Sequence, residues 1–327
     1  MPFNNIRGVF HPEIYHGFGK KQNFFEGWYF KIVNQPENLR FAIIPGIAMG
    51  NNKDEQHAFI QILDGTNCIS TYYRFKTTEF WANNKKFEIT IADNYFSADK
   101  MSLNLPNFKG TLQFSSLTPW PKTLLSPGIM GWYSFVPFME CYHGVVSLYH
   151  TISGSLTIDE TNHNFNNGIG YTEKDWGTSF PSAWIWMQTN HFSQSDICLT
   201  ASVAKIPWLG GSFIGFIAGL WLKNKLHVFT TYTGAKLQHV SIQQNTIHYK
   251  IADAHLALEL IATQAPGAEL KSPVLGLMEG RIKESMQATV TVKLFEKSKQ
   301  NEKLIFSDTA RNAGLEVAGN VQELLIS

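Results

Sequence analysis

Charge is scarce in this chain: Asp, Glu, Lys and Arg make up 16% of its 327 residues, and 27 basic against 26 acidic side chains leave a formal charge of +1 at pH 7. So even a balance gives no long-range field for a polyanion, which excludes nucleic acid as a partner. Cysteine is scarcer still. Cys68, Cys141 and Cys198 are odd in number and far apart, which argues against a disulfide framework or a thiolate metal site and predicts buried, reduced thiols. No phosphate-cradling or dinucleotide-binding glycine pattern occurs, and Ser126-Pro127-Gly128 lacks the flanking glycine of a nucleophile elbow, so phosphate chemistry and serine hydrolysis have no motif to rest on. Residues 1–21 contain no apolar stretch of signal-peptide length, being interrupted by Arg7, Glu13 and Gly17. The longest uncharged run, 206–222, holds Pro207, Gly210, Gly211, Gly215 and Gly219. It barely reaches bilayer length and reads as a buried strand with a glycine-rich entry. A cytoplasmic chain is expected, with Ile206, Pro207, Trp208 and Leu209 as the place where it would meet a membrane surface peripherally.

What the chain has in quantity is apolar and aromatic surface, 44% and 13% of residues. Its length suffices for two cores. Short segments rich in aromatic and β-branched residues recur between Gly, Asn and Asp clusters, at 24–33, 40–45, 57–63, 68–75, 86–91, 94–97, 101–105, 110–114, 144–150 and 155–158. A Pro-rich link covers 118–137, and no sustained helical period appears in this half. Strands follow at 183–192, 197–204, 212–222, 226–232, 236–242, 246–251 and 256–261. The alternation is clearest over 286–294, where Ala288, Val290, Val292 and Leu294 face one way and Gln287, Thr289, Thr291 and Lys293 the other. Segments 304–307 and 315–318 would close the sheet, with 297–303 as a hairpin tip. Two weak echoes suggest duplication: Ser126-Pro127 with Met139-Glu140 against Ser272-Pro273 with Met278-Glu279, and Glu26 ahead of Trp28 against Glu173 ahead of Trp176. An all-β chain of two units is expected, 1–166 and 167–327, each a barrel because closure removes exposed sheet edges.

Most of the chemistry is concentrated in 171–190. Glu173 and Asp175 stand beside Trp176, a Gly and a Pro interrupt the chain, and then Trp184, Trp186, Gln188 and Asn190 share one face of a strand. Two indoles and two amides entered from an acidic loop suit a large apolar ligand with a few polar anchors. The same residues also fit plain packing, with the tryptophans in a core, the amides satisfied internally and Glu173 accepting backbone N–H bonds. His143 with His150, and His248 with His255, are seven apart and fall on opposite strand faces, which disfavours a shared metal; His11 and His16 flank Glu13 without a third ligand.

Three passages together resemble the tocopherol cyclase family: Phe24-Phe25-Glu26-Gly27-Trp28-Tyr29-Phe30-Lys31, Tyr171 to Gly177 with Phe180-Pro181, and Trp184-Ile185-Trp186-Met187-Gln188-Thr189-Asn190. Plant members carry transit segments and read Glu-Lys-Asn-Trp-Gly where this chain has Glu173-Lys174-Asp175-Trp176-Gly177, so the resemblance is to a bacterial-type member. It implies two tandem lipocalin-like antiparallel β-barrels, related in fold to carotenoid hydratases. It also implies cofactor-independent closure of a prenylated hydroquinone to a chromanol, and no metal is expected.

That reaction needs a proton on an alkene and attack by a phenol oxygen on the resulting cation. A carboxyl group kept protonated by burial beside an indole would serve. Glu173 beside Trp176 is the first candidate and Glu26 beside Trp28 the second, while Asp175 reads as a weaker acid or a partner of Lys174 or Lys31. Trp28, Tyr29, Trp176, Trp184 and Trp186 would bind substrate, with indole faces stabilising positive charge by roughly 2 kcal/mol in a dry site. Gln188 and Asn190 would hold the quinol oxygens. A non-catalytic carrier of isoprenoid or other lipids, and a hydratase in which water captures the cation, use the same cavity.

Overall fold

Alternating apolar and polar residues over five to ten positions dictate strands, and strands dominate. The computed structural model describes residues 3–298 and 301–326. After a short helix α1 (Phe3–Phe10), the first sheet is built from β1 (Phe24–Val33), β2 (Arg40–Met49), β3 (His57–Asp64), β4 (Ile69–Phe75), β5 (Phe80–Ala82) and β6 (Glu88–Ile91). It continues with β7 (Asn94–Ser97), β8 (Lys100–Asn104), β9 (Phe108–Ser115), β10 (Cys141–Ile158), β11 (Thr161–Asn164) and β12 (Gly168–Gly177). The hydrogen-bonded order is β4-β3-β2-β1-β12-β10-β9-β8-β7-β6-β5, with β11 on β10. The second sheet contains β13 (Ala183–Thr189), β14 (Cys198–Trp208), β15 (Gly211–Leu222), β16 (Lys225–Thr230) and β17 (Lys236–Gln243). It is completed by β18 (Thr246–Ala252), β19 (Leu256–Thr263), β20 (Ala268–Val274), β21 (Leu277–Lys297) and β22 (Glu302–Gly319). Its order is β16-β15-β14-β13-β22-β21-β19-β18-β17, with β20 on β21. The tip expected at 297–303 joins β21 to β22, although residues 299–300 lie outside the described residues.

Each sheet has a core of its own. In the first, Trp28, Phe30 and Ile32 of β1 share one apolar cluster with Ile60 of β3, Ile89 of β6, Phe96 of β7, Leu112 of β9 and Ile152 of β10. Strands from both ends of the ladder contribute, so the sheet curls around a single interior. Phe30 stacks within 6.0 Å of Phe87 and 5.9 Å of Phe114, pairs that add about 0.5–1.5 kcal/mol each beyond their buried area. The ladder hydrogen bonds end at β4 and β5, and at β16 and β17 in the second sheet. Among the described residues neither sheet is therefore closed by its ladder into the barrel expected from edge avoidance. In the second core Ala288, Val290, Val292 and Leu294 join Ile185 and Met187, the face their alternation predicts.

The compact units are Met1–Phe180 with Leu270–Arg281, and Pro181–Glu269 with Ile282–Ser327. The boundary expected at 166/167 moves because β12 is hydrogen-bonded on both edges, to β1 and to β10. Both echoes taken for duplication fall in the first unit. Glu26 and Trp28 lie directly across the β1–β12 ladder from Trp176 and Lys174, and 272–279 belongs to the segment tied to the first sheet by Lys271 N–H to Gln61 Oε1 at 3.0 Å and Gly276 N–H to Thr178 O at 2.8 Å. Ser-Pro and Gly recur there as turn chemistry, not as copies of a core. Cys198 is buried and Cys68 and Cys141 are half-buried, so only Cys198 matches the burial expected. Leu209, at the β14–β15 hairpin, is exposed and Trp208 half-buried.

Candidate active site

Residues 171–177 form a strand, not the acidic loop their composition suggests, and a strand sends neighbours to opposite faces. Thr172, Lys174 and Trp176 point with Glu26, Trp28 and Phe30 towards the core side. Tyr171, Glu173 and Asp175 point the other way, across from Lys31, Tyr29 and Gly27 on β1. Gly177 ends the strand at φ +152°, where a Cβ would lie 2.2 Å from Glu140 O.

On the core side, Lys174 and Glu26 are fully buried and ion-paired. The ammonium also donates to Ile14 O and, at 2.7 Å, to His16 Nδ1. It lies 4.8 Å and 4.7 Å from the ring centroids of Trp28 and Trp176. His16 stacks on Trp176 at 4.2 Å, and its backbone N–H reaches both Glu26 oxygens at 3.0 Å. Burial, and then Lys174, push the His16 pKa down. A neutral ring that accepts at Nδ1 leaves Nε2–H to donate to Gly8 O at 3.1 Å. Burial lowers Lys174 to about 8 against the opposing pull of Glu26, so it stays protonated at neutral pH. Every donor is satisfied, and the cluster pins residues 8–16 to the sheet.

On the other side, the β10–β12 register sets His143 opposite Asp175. His143 Nδ1 is 2.9 Å from Asp175 Oδ1 and Nε2 is 3.6 Å from Glu173 Oε2, while Tyr171 OH donates to Glu173. Burial opposes a charge on the imidazole, but Asp175 and Glu173 outweigh it and raise the pKa from 6.5 to about 9. His150, on the opposite face of β10, is buried without such partners and is pushed down to about 3. The nitrogen of His143 and one oxygen from each of Glu173 and Asp175 lie within 4.8 Å of one another. A divalent cation would accept that donor set only by displacing the imidazolium proton.

The raised pKa makes a prediction about stability. A group protonated more readily in the folded chain stabilises it fully below the unfolded pKa and loses that contribution as pH rises through the folded one. The urea-unfolding difference between the parent and His143→Gln should be largest near pH 6, on the order of 2–3 kcal/mol. It should close by about pH 10. A gap that is flat across this range contradicts the bridged imidazolium.

Of the residues expected to bind substrate, Tyr29 accompanies Glu173, whereas Trp28 and Trp176 accompany Glu26. Trp184, Trp186 and Gln188 belong to the second unit, on the face of β13 opposite its core, and Asn190 follows the strand. Trp184 Nε1–H donates to Glu316 Oε2 at 2.6 Å, and Glu316 lies across from both Trp186 and buried Glu284. A cleft of about 220 Å³ in the first unit is lined by His57, Arg74, Lys271 and Arg281 among others. Its charged lining differs from the indole-walled chamber expected for an isoprenoid.

The profile of the family described as tocopherol cyclase-like matches residues 107–319. The chain belongs to the tocopherol cyclase-like family. A rice (Oryza sativa subsp. japonica) protein named probable chloroplastic tocopherol cyclase is 23% identical over 368 residues, spanning 93% of this chain and 77% of its own. The chloroplastic tocopherol cyclase of maize (Zea mays) is 28% identical over 199 residues, 58% of this chain and 41% of that one. In three dimensions the crystal structure of CghA superposes with a TM-score of 0.56 at 9% identity, covering 90% of this chain and 88% of CghA. That likeness establishes a shared fold, with two lipocalin-like antiparallel sheets.

Membership in the tocopherol cyclase-like family supports a cyclase-type enzyme. The family match includes β10, β12 and β13 and starts after β1, so it covers the His143–Glu173–Asp175 cluster and not Glu26. Sequence reasoning singled out Glu173 as a candidate and did not place His143 and Tyr171 beside it, nor Glu316 and Glu284 beside Trp184 and Trp186. Asp175 bonds His143 instead of the lysines expected for it. Only the strand register carries that information.

Proposed function

We propose that this chain closes a prenylated hydroquinone to a chromanol, with Glu173 delivering the initiating proton and His143 resupplying it. The supporting observation is the imidazole held between two carboxylates, with Tyr171 fixing the nearer one. In the step envisaged, the proton on His143 Nε2 passes to Glu173 as Glu173 protonates the alkene, and the loose 3.6 Å gap tightens once substrate excludes water. A tertiary cation results. The phenol oxygen attacks it, a C–O bond forms, and the phenolic proton returns to the Glu173–His143 pair. Proton count and redox state close, so the chemistry requires no cofactor. Once the proton has gone to the alkene, two carboxylates and a neutral imidazole remain, and that net negative cluster favours the carbocation. Tyr29, across the ladder from Glu173, would line the substrate.

Hydration would begin with the same protonation, and a carrier would bind the same lipid without converting it. A carrier has no use for a buried imidazole braced by two acids. The three readings separate when a prenylated hydroquinone is incubated with the full chain and a metal chelator in ¹⁸O-labelled water. Chromanol without label is the expected product. A labelled tertiary alcohol points to hydration, and recovery of unchanged quinol to a carrier; loss of turnover on chelation alone overturns the metal-independent route. No helix among the described residues is long and apolar enough to cross a membrane. We infer a peripheral position, from which a bilayer-resident substrate is reached.

A further inference from the structure

Between β9 and β10 the chain spends residues 116–140 in a segment that is held firmly and yet shows large apolar groups to solvent. Trp120, Ile129, Met130 and Met139 are buried and anchor it. Thr118 N–H bonds Tyr149 O at 2.9 Å, Leu148 N–H bonds Thr118 O at 2.7 Å, and Tyr142 OH donates to Val136 O. Against that ordered frame Leu124 and Leu125 are each 82% exposed, Phe138 55%, Trp132 45% and Phe135 43%. Single exposed apolar residues need no explanation, but five within fifteen positions on a built loop do.

We propose that this loop docks the protein on a lipid bilayer, with Leu124 and Leu125 entering the acyl region and Trp132, Phe135 and Phe138 seated at the headgroup level. Three observations favour lipid over a second protein. Aliphatic side chains on one turn and aromatic ones on the next reproduce the composition of a membrane interface. From 117 to 139 there is no Asp or Glu, and the single charge, Lys122, is bonded to Glu13 Oε2 at 3.0 Å and Phe10 O at 3.1 Å. Insertion therefore buries no carboxylate. Apart from the Tyr133 phenol, the remaining polar side chains are the hydroxyls of Thr118, Thr123, Ser126 and Ser134, too few for the hydrogen-bonded rim of a protein interface.

The loop also runs directly to the cluster described above. Met130 Sδ accepts the backbone N–H of His143 at 3.1 Å, so the buried side of the loop adjoins the strand that carries His143, and a molecule leaving the bilayer here would have a short way to the Glu173–His143 pair. Delivery to that pair rests on the prenylated-substrate reading; bilayer contact does not. The hairpin at Leu209, where the sequence suggested membrane contact, offers one large exposed group against these five.

Flotation of the full chain with phosphatidylcholine vesicles tests the contact without any turnover. The parent should float, and raised salt should not release it, because the attraction is apolar. Leu124→Asp with Leu125→Asp should lower the partition coefficient about a hundredfold. Leu124→Ser with Leu125→Ser, a milder pair, should lower it by about tenfold. Melting temperature, and turnover of detergent-dispersed substrate, should stay at parent values. A parent that does not float, or variants that float equally well, overturns the proposal. So does a parent dimer in sedimentation that the variants abolish, since the loop would then join two copies of this chain. If the parent floats and no prenylated quinol is converted, docking stands and the cyclase reading falls.

Discussion

Glu173→Gln should lower kcat by about 10²–10⁴-fold, the usual range for removing a positioned general acid, while substrate affinity changes little. Glutamine keeps the volume, and its carbonyl oxygen can still accept the Tyr171 hydroxyl, so the local fold has no reason to shift. It cannot hold a transferable proton. His143 keeps Asp175 and remains in place, but its own proton is left without the relay to the alkene. Binding read by tryptophan quenching, beside single-turnover chromanol formation, separates the two effects. Turnover at the parent rate would remove Glu173 from the mechanism. Asp175→Asn should cost less, since Asp175 acts through His143 by orienting it and favouring its proton.

Why Glu173 was legible as a candidate and its spatial neighbours were not follows from what a sequence encodes. Aromatic and β-branched enrichment identified β1 to the residue, and period-two patterning gave the core face of β21, because burial on one side leaves a mark at every second position. The 171–177 stretch misled for the converse reason. Glu, Lys, Asp and Gly ordinarily signal a loop, and here they are the polar content of a strand paired on both edges. Reading Glu173 beside Trp176 treated chain neighbours as spatial neighbours, yet a three-residue offset in a strand puts them on opposite faces. Trp176 therefore packs on His16 and Lys174. His143 and Asp175 are 32 positions apart and meet only through register. Register is fixed by the whole ladder, including bulges in β10, and no local pattern reports it.

Glu26, the other acid suggested by an adjacent indole, is tied up in structure, and its variants should show this in stability. Lys174→Met should destabilise the first unit by about 3–5 kcal/mol, the range for removing one partner of a buried ion pair. Glu26 would remain fully buried with only the His16 N–H bonds and no counter-ion. Methionine retains most of the stem that packs between Trp28 and Trp176, so lost packing contributes little. The double variant Glu26→Gln with Lys174→Met removes both charges and should recover most of the loss, because desolvating the pair offsets much of its attraction. Urea unfolding followed by tryptophan emission measures both, and with two units present the earliest transition should carry the change. A single variant within about 1 kcal/mol of the parent would mean that the pair is not sealed from water. Equal stability with lost turnover would return Glu26 to the list of acids. Retained turnover in the stabilised double variant would assign the chemistry to the opposite face of the same strand, where Glu173 and His143 stand.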